Sequence, residues 1–162
     1  LEGRYLEQRG IHDYLIEAGG DILVSGLKEG RKPWIIAVRH PRRSQGYLGL
    51  IPLGASGQTI AIVTSGDYER YFEQGGRRYH HILDPETGYP AQGLVSVTVI
   101  APTCTEADAL ATAAFVLGPE RGLKLLEEWK EAEGLLIAER EGKLSAEATP
   151  GFPLKAEQVK LD

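Results

Sequence analysis

No other stretch narrows the fold as much as Leu94–Ala101, LVSVTVIA, and the residues directly after it. Its β-favouring residues predict a strand, with Val95, Val97 and Val99 alternating against Ser96 and Thr98. Thr103-Cys104-Thr105-Glu106 then matches the S/T-x-x-E capping box, which satisfies N–H groups left free at a helix start. The helix is predicted to reach Leu117 and stop at Gly118. Pro119 suits the first turn of a second helix, predicted to run to Glu131, with Leu123, Leu125, Leu126 and Trp129 as its apolar stripe.

Most of the rest reads as short strands bounded by glycine or proline. Residues 14–17 and 22–25 flank Gly19-Gly20, a sharp turn, and residues 34–38, 47–51 and 59–64 follow. Residues 71–74 and 77–83 flank Gly75-Gly76, a two-residue hairpin signal, and residues 135–139 and 143–147 lie around Gly142. Residues 1–9 read as the end of a helix closed by Gly10, and residues 148–162 as an extended tail. Runs of strands with few helices between them indicate an α+β fold, a mixed or antiparallel sheet with flanking helices, in one domain over residues 1–162.

Charge excludes some functions. Eighteen Lys and Arg stand against twenty-three Asp and Glu, a net charge of −5. Basic residues come in short groups such as Arg42-Arg43 and Arg77-Arg78, so no footprint for nucleic acid or anionic membrane is present. The single cysteine, Cys104, has no partner for an internal disulfide.

Four segments carry candidate chemistry. Asp108 and Thr112 lie four apart on the predicted helix, so they share a face that can hold a hard cation such as magnesium. By spacing alone the pair fits a plainer reading better, with Asp108 complementing the helix dipole and Thr112 bonding back to a carbonyl. Tyr79 to Gly88, YHHILDPETG, gathers two histidines, two acids and a threonine at a strand end and turn. A histidine there can act as base or phosphate ligand; adjacent strand residues face opposite ways, so at most one of His80 and His81 faces a given site. The segment is also an ordinary turn sequence. Gly19-Gly20-Asp21 and Ser65-Gly66-Asp67 each follow an apolar strand, where unhindered backbone N–H groups can approach a phosphate, although each also fits a plain turn. Neither belongs to a P-loop or a dinucleotide-binding glycine pattern.

Taken in order, Gly19-Gly20, Ser65-Gly66-Asp67-Tyr68, His81 to Gly88 and Glu106 to Gly118 resemble the ApbE flavin transferases, and Val95 to Pro102 resembles them too. The resemblance implies an ApbE-like, T-fold-like domain with FAD as flavin donor and magnesium on its pyrophosphate. Such enzymes move FMN from FAD onto a threonine or serine hydroxyl of an acceptor protein and release AMP. Some members instead hydrolyse FAD to FMN and AMP, and a non-catalytic flavin-binding or trafficking module is a third alternative. By motif match, Asp108 and Thr112 are metal ligands, His81 is the catalytic candidate, and Ile82 contacts FAD through its backbone. Gly19, Gly20, Ser65 and Gly66 are the remaining cofactor-binding candidates. Some members carry an aspartate where Ala111 stands, so the metal shell implied here is thinner.

Family members have a further N-terminal half, with flavin contacts and a glycine-rich segment, ahead of the helix that ends at Gly10. The chain is therefore expected to be a truncated domain portion that self-associates or is incompletely ordered alone, and binds FAD more weakly than the complete protein. The resemblance also implies the bacterial periplasm or the outer face of the cytoplasmic membrane.

Overall fold

The structure is a computed structural model that describes residues 2–55 and 57–161; Leu1, the first residue of the predicted opening helix, lies outside them. In chain order the elements are α1 Glu2–Gln8, β1 Tyr14–Ala18, β2 Asp21–Ser25, β3 Trp34–Arg39, β4 Tyr47–Leu53, β5 Thr59–Gly66, β6 Tyr71–Gln74 and β7 Arg77–His80. There follow β8 Leu94–Ala101, α2 Cys104–Leu117, α3 Pro119–Glu128, β9 Glu133–Arg140 and β10 Lys143–Ala148.

Six strands form one sheet in the order β1-β2-β5-β8-β9-β10, and β3–β4 and β6–β7 are separate hairpins. Every pairing among the described residues is antiparallel, so the mixed alternative is not taken. One physical reason is connection length: hairpins and the returning α2–α3 pair reverse the chain, whereas parallel neighbours need a crossover.

Helices α2 and α3 cover one face. Ala61, Val63, Val97, Val99 and Leu136 from the sheet meet Ala107, Ala111, Ala114, Phe115 and Leu126 there. The opposite face packs Val24, Ile62, Ile100, Leu135 and Ile137 against Ile36, Val38, Leu48 and Ile51 of the β3–β4 hairpin. Phe152 and Leu154 join that second core. The expected extended tail is therefore a packed strap that ends in a short 3-10 turn at Ala156–Gln158, because its apolar residues have a sheet face to cover.

The alternation expected along β8 holds only in part. A bulge between Leu94 and Ser96 adds a residue, so Val95 packs in the hairpin-side core while Val97 and Val99 pack under the helices. Two boundaries draw in by three residues, while several strands run one or two residues longer than expected. Strand β7 ends at His80 rather than residue 83, where the chain bends and Leu83 makes only an isolated bridge to Pro90. Helix α3 ends at Glu128 rather than Glu131, because Trp129 adopts extended backbone with φ −90° and ψ 100°.

Helix α3 approaches α2 closely at Gly122, where an added Cβ would collide with the Ala114 carbonyl oxygen. Gly122→Ala should therefore destabilise by about 1–3 kcal/mol through forced separation of the helices, outweighing the ~1 kcal/mol that alanine gains in helix propensity. Urea unfolding measures this; a more stable variant would show that the helices can move apart freely.

Candidate functional site

Helix α2 is held at its start by Thr103, whose Oγ1 accepts from the Glu106 N–H at 3.2 Å and donates to the Glu106 carboxylate at 2.7 Å. The glutamate thus returns to the threonine hydroxyl, a variant of the expected box. Its buried side is made mainly of small residues, Ala107, Ala111 and Ala114, with Leu110 and Phe115, so the helix lies close on β5 and β8. Ala111 is fully buried in that contact and contributes packing, not charge.

Asp108 and Thr112 fall on the flank of the helix, exposed. Below them, the Ser65 hydroxyl of β5 lies 3.1 Å from the Thr112 hydroxyl. Neighbouring β2 begins with Asp21, a residue the sequence reading used only as the end of a glycine turn. Burial, and then the charge of Asp108, push the Asp21 carboxyl above its ordinary pKa. The signal available for it was the Gly19-Gly20 turn itself, which fixes where β2 starts, but only strand order brings β2 beside β5 and α2. Burial and the Asp21 and Asp108 charges also raise the Cys104 thiol, so this cysteine is held protonated.

The two histidines separate as strand alternation requires. His80 is buried, edge-on to Phe115 with ring centroids 5.5 Å apart, and its Nε2 lies 3.0 Å from the Ala91 carbonyl. Since a carbonyl only accepts, Nε2 carries the hydrogen, and Nδ1 is left buried with no partner among the described residues. His81 is exposed just past the strand end, with its Nδ1 3.3 Å from the Arg70 carbonyl. Ile82 is buried in the helix-side core, and its carbonyl accepts from the Ala91 N–H at 3.0 Å. His80 and Ile82 therefore tether the segment to α2 and leave His81 outward. Asp84 and Thr87 serve the turn: Asp84 Oδ1 accepts from the Glu86 N–H at 2.9 Å and Thr87 Oγ1 from the Tyr89 N–H at 3.3 Å.

The glycine candidates lie in a turn and at a strand end. Gly19 and Gly20 form the β1–β2 turn with φ of 67° and 104°, and the Gly20 N–H donates to the Glu17 carboxylate at 2.9 Å. Ser65 and Gly66 lie within β5, registered against Val97 and Ser96 of β8, and the Tyr68 ring lies over Gly66. Asp67 is buried and takes a bidentate pair from Arg42, at 2.7 and 2.8 Å. Arg42 also donates to Glu139 at 2.8 and 2.6 Å. Burial opposes its charge, but the two carboxylates outweigh that and raise its pKa.

Among the described residues no group of three or more His, Cys, Asp and Glu side chains converges as a metal centre. Among the described residues no helix is long and apolar enough to cross a membrane.

These features define a class: an α+β domain with helices on one face of an antiparallel sheet and oxygen donors gathered where the capped helix meets that sheet. The ApbE family model matches residues 3–136. A relative from Vibrio cholerae, named FAD:protein FMN transferase, is 46% identical over 125 residues, covering 76% of this chain and 36% of its own length. One from Treponema pallidum with the same name is 42% identical over 141 residues, covering 82% and 38%. Among solved structures, an ApbE protein from Thermotoga maritima superposes with a TM-score of 0.76 at 41% identity, over 96% of this chain and 51% of that one. The flavin transferase ApbE from Vibrio cholerae gives 0.78 at 38%, over 92% and 46%. The chain belongs to the ApbE family. It spans well under half the length of the curated relatives named here.

Burial lowers the His80 pKa, and the nearby Arg78 and His81 charges act the same way, while the Ala91 bond and Asp67 oppose them. The unfolded chain binds a proton at His80 as pH falls through about 6.5, whereas the folded chain resists until lower pH. Stability from this group is thus present above about pH 6.5 and lost below it. Urea midpoints should fall from about pH 7.5 to 5.5, and His80→Gln, which keeps a donor for Ala91 without a titrating ring, should show a smaller fall. Equal falls would place the effect elsewhere.

Proposed function

We propose that this chain serves magnesium-dependent transfer of FMN from FAD to a threonine or serine hydroxyl of an acceptor protein, with release of AMP. The observation that carries the reading is the grouping of Asp108, Thr112, Ser65 and Asp21 at one helix–sheet junction, beside which stands the outward setting of His81 between the buried His80 and Ile82. The names of the relatives and of the solved flavin transferase support it.

The donor set fits magnesium: carboxylates and hydroxyls are hard oxygen ligands, and magnesium commonly takes one or two carboxylates and completes its octahedron with water and phosphate. Asp108 and Thr112 would hold it, with Asp21 as the nearby second carboxylate that Ala111 does not provide. Bound there, the ion would neutralise charge on the pyrophosphate and make AMP a better leaving group.

His81 acts on the acceptor. With Nδ1–H donating to the Arg70 carbonyl, the lone pair lies on Nε2, free to take the hydroxyl proton. The acceptor oxygen then bonds to the FMN-side phosphorus, the bond from that phosphorus to the bridging oxygen breaks, and AMP leaves with that oxygen. Exposure of His81 allows a hydroxyl on another protein to reach it. Ile82, its carbonyl engaged by Ala91, would contact FAD through its N–H.

In a full-length protein carrying this chain, His81→Ala should lower AMP release by about 10²- to 10⁴-fold, the usual span for a lost general base. His80→Ala should instead lower stability. Equal catalytic losses at the two histidines would remove the assignment. Asp108→Ala should abolish most magnesium-dependent activity and leave the fold intact, since exposed helix positions change stability little. Activity unchanged at limiting magnesium would sink the metal reading.

A further inference from the structure

The Ser65–Thr112 contact has an uncommon form. A threonine within a helix ordinarily turns its hydroxyl back to a carbonyl three or four residues earlier, which occupies its one hydrogen locally. Thr112 instead has its Oγ1 3.1 Å from Ser65 Oγ, on a strand remote in sequence. Ser65 is buried at 8% exposure, in register with Val97 in the middle of the sheet, so its hydroxyl is fixed in place. A hydroxyl has one hydrogen and two lone pairs, and only a lone pair can face a cation. The hydrogen of a cation-bound hydroxyl points away from the charge and needs an acceptor.

We propose that Ser65 is a positioning residue: its oxygen accepts the Thr112 hydrogen and so turns a Thr112 lone pair outward, toward the cation. This rests on the metal reading above. The sheet then orients a ligand that the helix carries, as outer hydrogen-bond partners do at metal centres generally.

The test uses manganese as a magnetic probe in place of magnesium, with affinity read by electron paramagnetic resonance in a full-length protein carrying this chain. Ser65→Ala should weaken manganese binding about tenfold to a hundredfold, the usual cost of a lost outer partner. Thr112→Val should weaken it at least as much, and Ser65→Ala added to Thr112→Val should change nothing further, because the serine acts only through the threonine. Thermal unfolding in chelator should be similar for all variants. If Ser65→Ala proves unfolded, Ser65→Cys, which keeps the volume but accepts hydrogen bonds weakly, decides by the same comparison. Loss at Thr112→Val with none at Ser65 overturns this inference and leaves the metal reading standing. An equal Ser65 effect in both backgrounds also overturns it, since that marks a structural role. No effect of Thr112→Val overturns both.

Discussion

Strand β8 has no solvent face: all eight of its residues are buried, because helices cover one side of it and the β3–β4 hairpin with the C-terminal strap covers the other. A strand in that position reads as apolar, and its two polar residues have to be satisfied inside. Thr98 meets Thr64 of β5 at 2.9 Å, and Ser96 faces the Tyr68 hydroxyl at 3.5 Å, the outer limit of a bond. Leaving either hydroxyl orphaned would cost roughly 1–3 kcal/mol. The bulge at Val95 belongs to the same constraint, since it shifts one apolar residue to the hairpin side without exposing it.

Because both layers rest on one strand, groups at their margins are held with little freedom. On the helix side, alanines at 107, 111 and 114 let α2 settle close to the sheet, close enough for a threonine on its flank to meet a serine on β5. At the far end of β5, the Arg42–Asp67–Glu139 group ties the chain after β3 to β5 and β9. Its Arg42–Asp67 pair is bidentate and partly buried, the arrangement in which ion pairs are geometrically specific. Removing one partner would strand a charge there, so the group fixes how the hairpin layer sits on the sheet.

Much of this was legible in the residues. Period-two patterns bounded by glycine located the strands, and the Thr103–Glu106 box located the start of α2, because both are local rules about hydrogen bonding and side-chain direction. The opposite fates of His80 and His81 followed from alternation. What local rules did not hold was strand order. Asp21 beside Asp108 and Ser65 beneath Thr112 depend on β2, β5 and α2 meeting, contacts between residues far apart in sequence. Burial of the strap through Phe152 was hidden for a related reason: Pro150, Gly151 and Pro153 signal a loop, and only the uncovered sheet face makes that loop pack. The Gly19-Gly20 turn and the Ser65-Gly66 strand end were legible as backbone features, and the Gly20 N–H and the β5 ladder show what they do in the fold.

A junction of this kind suits the chemistry proposed for it. A cation caged by protein ligands alone would be bound whether or not a pyrophosphate were present, and a buried pair of carboxylates without it would repel. At the edge of α2 the carboxylates are few and partly solvated, so a cation site there would tolerate their charge without metal and would gain most when phosphate oxygens completed the shell. Affinity for metal and for nucleotide would then be coupled, each raising the other by the same factor. The exposed setting of His81 matches this logic from the other side. An acceptor that is itself a protein cannot enter a closed pocket, so the base proposed at His81 would have to stand at the surface, as His81 does, with its neighbours His80 and Ile82 buried. Orientation in such a site would come from the strands beneath, so buried residues of β5 in the main sheet and of β7 in its separate hairpin would matter to groups that lie in solvent.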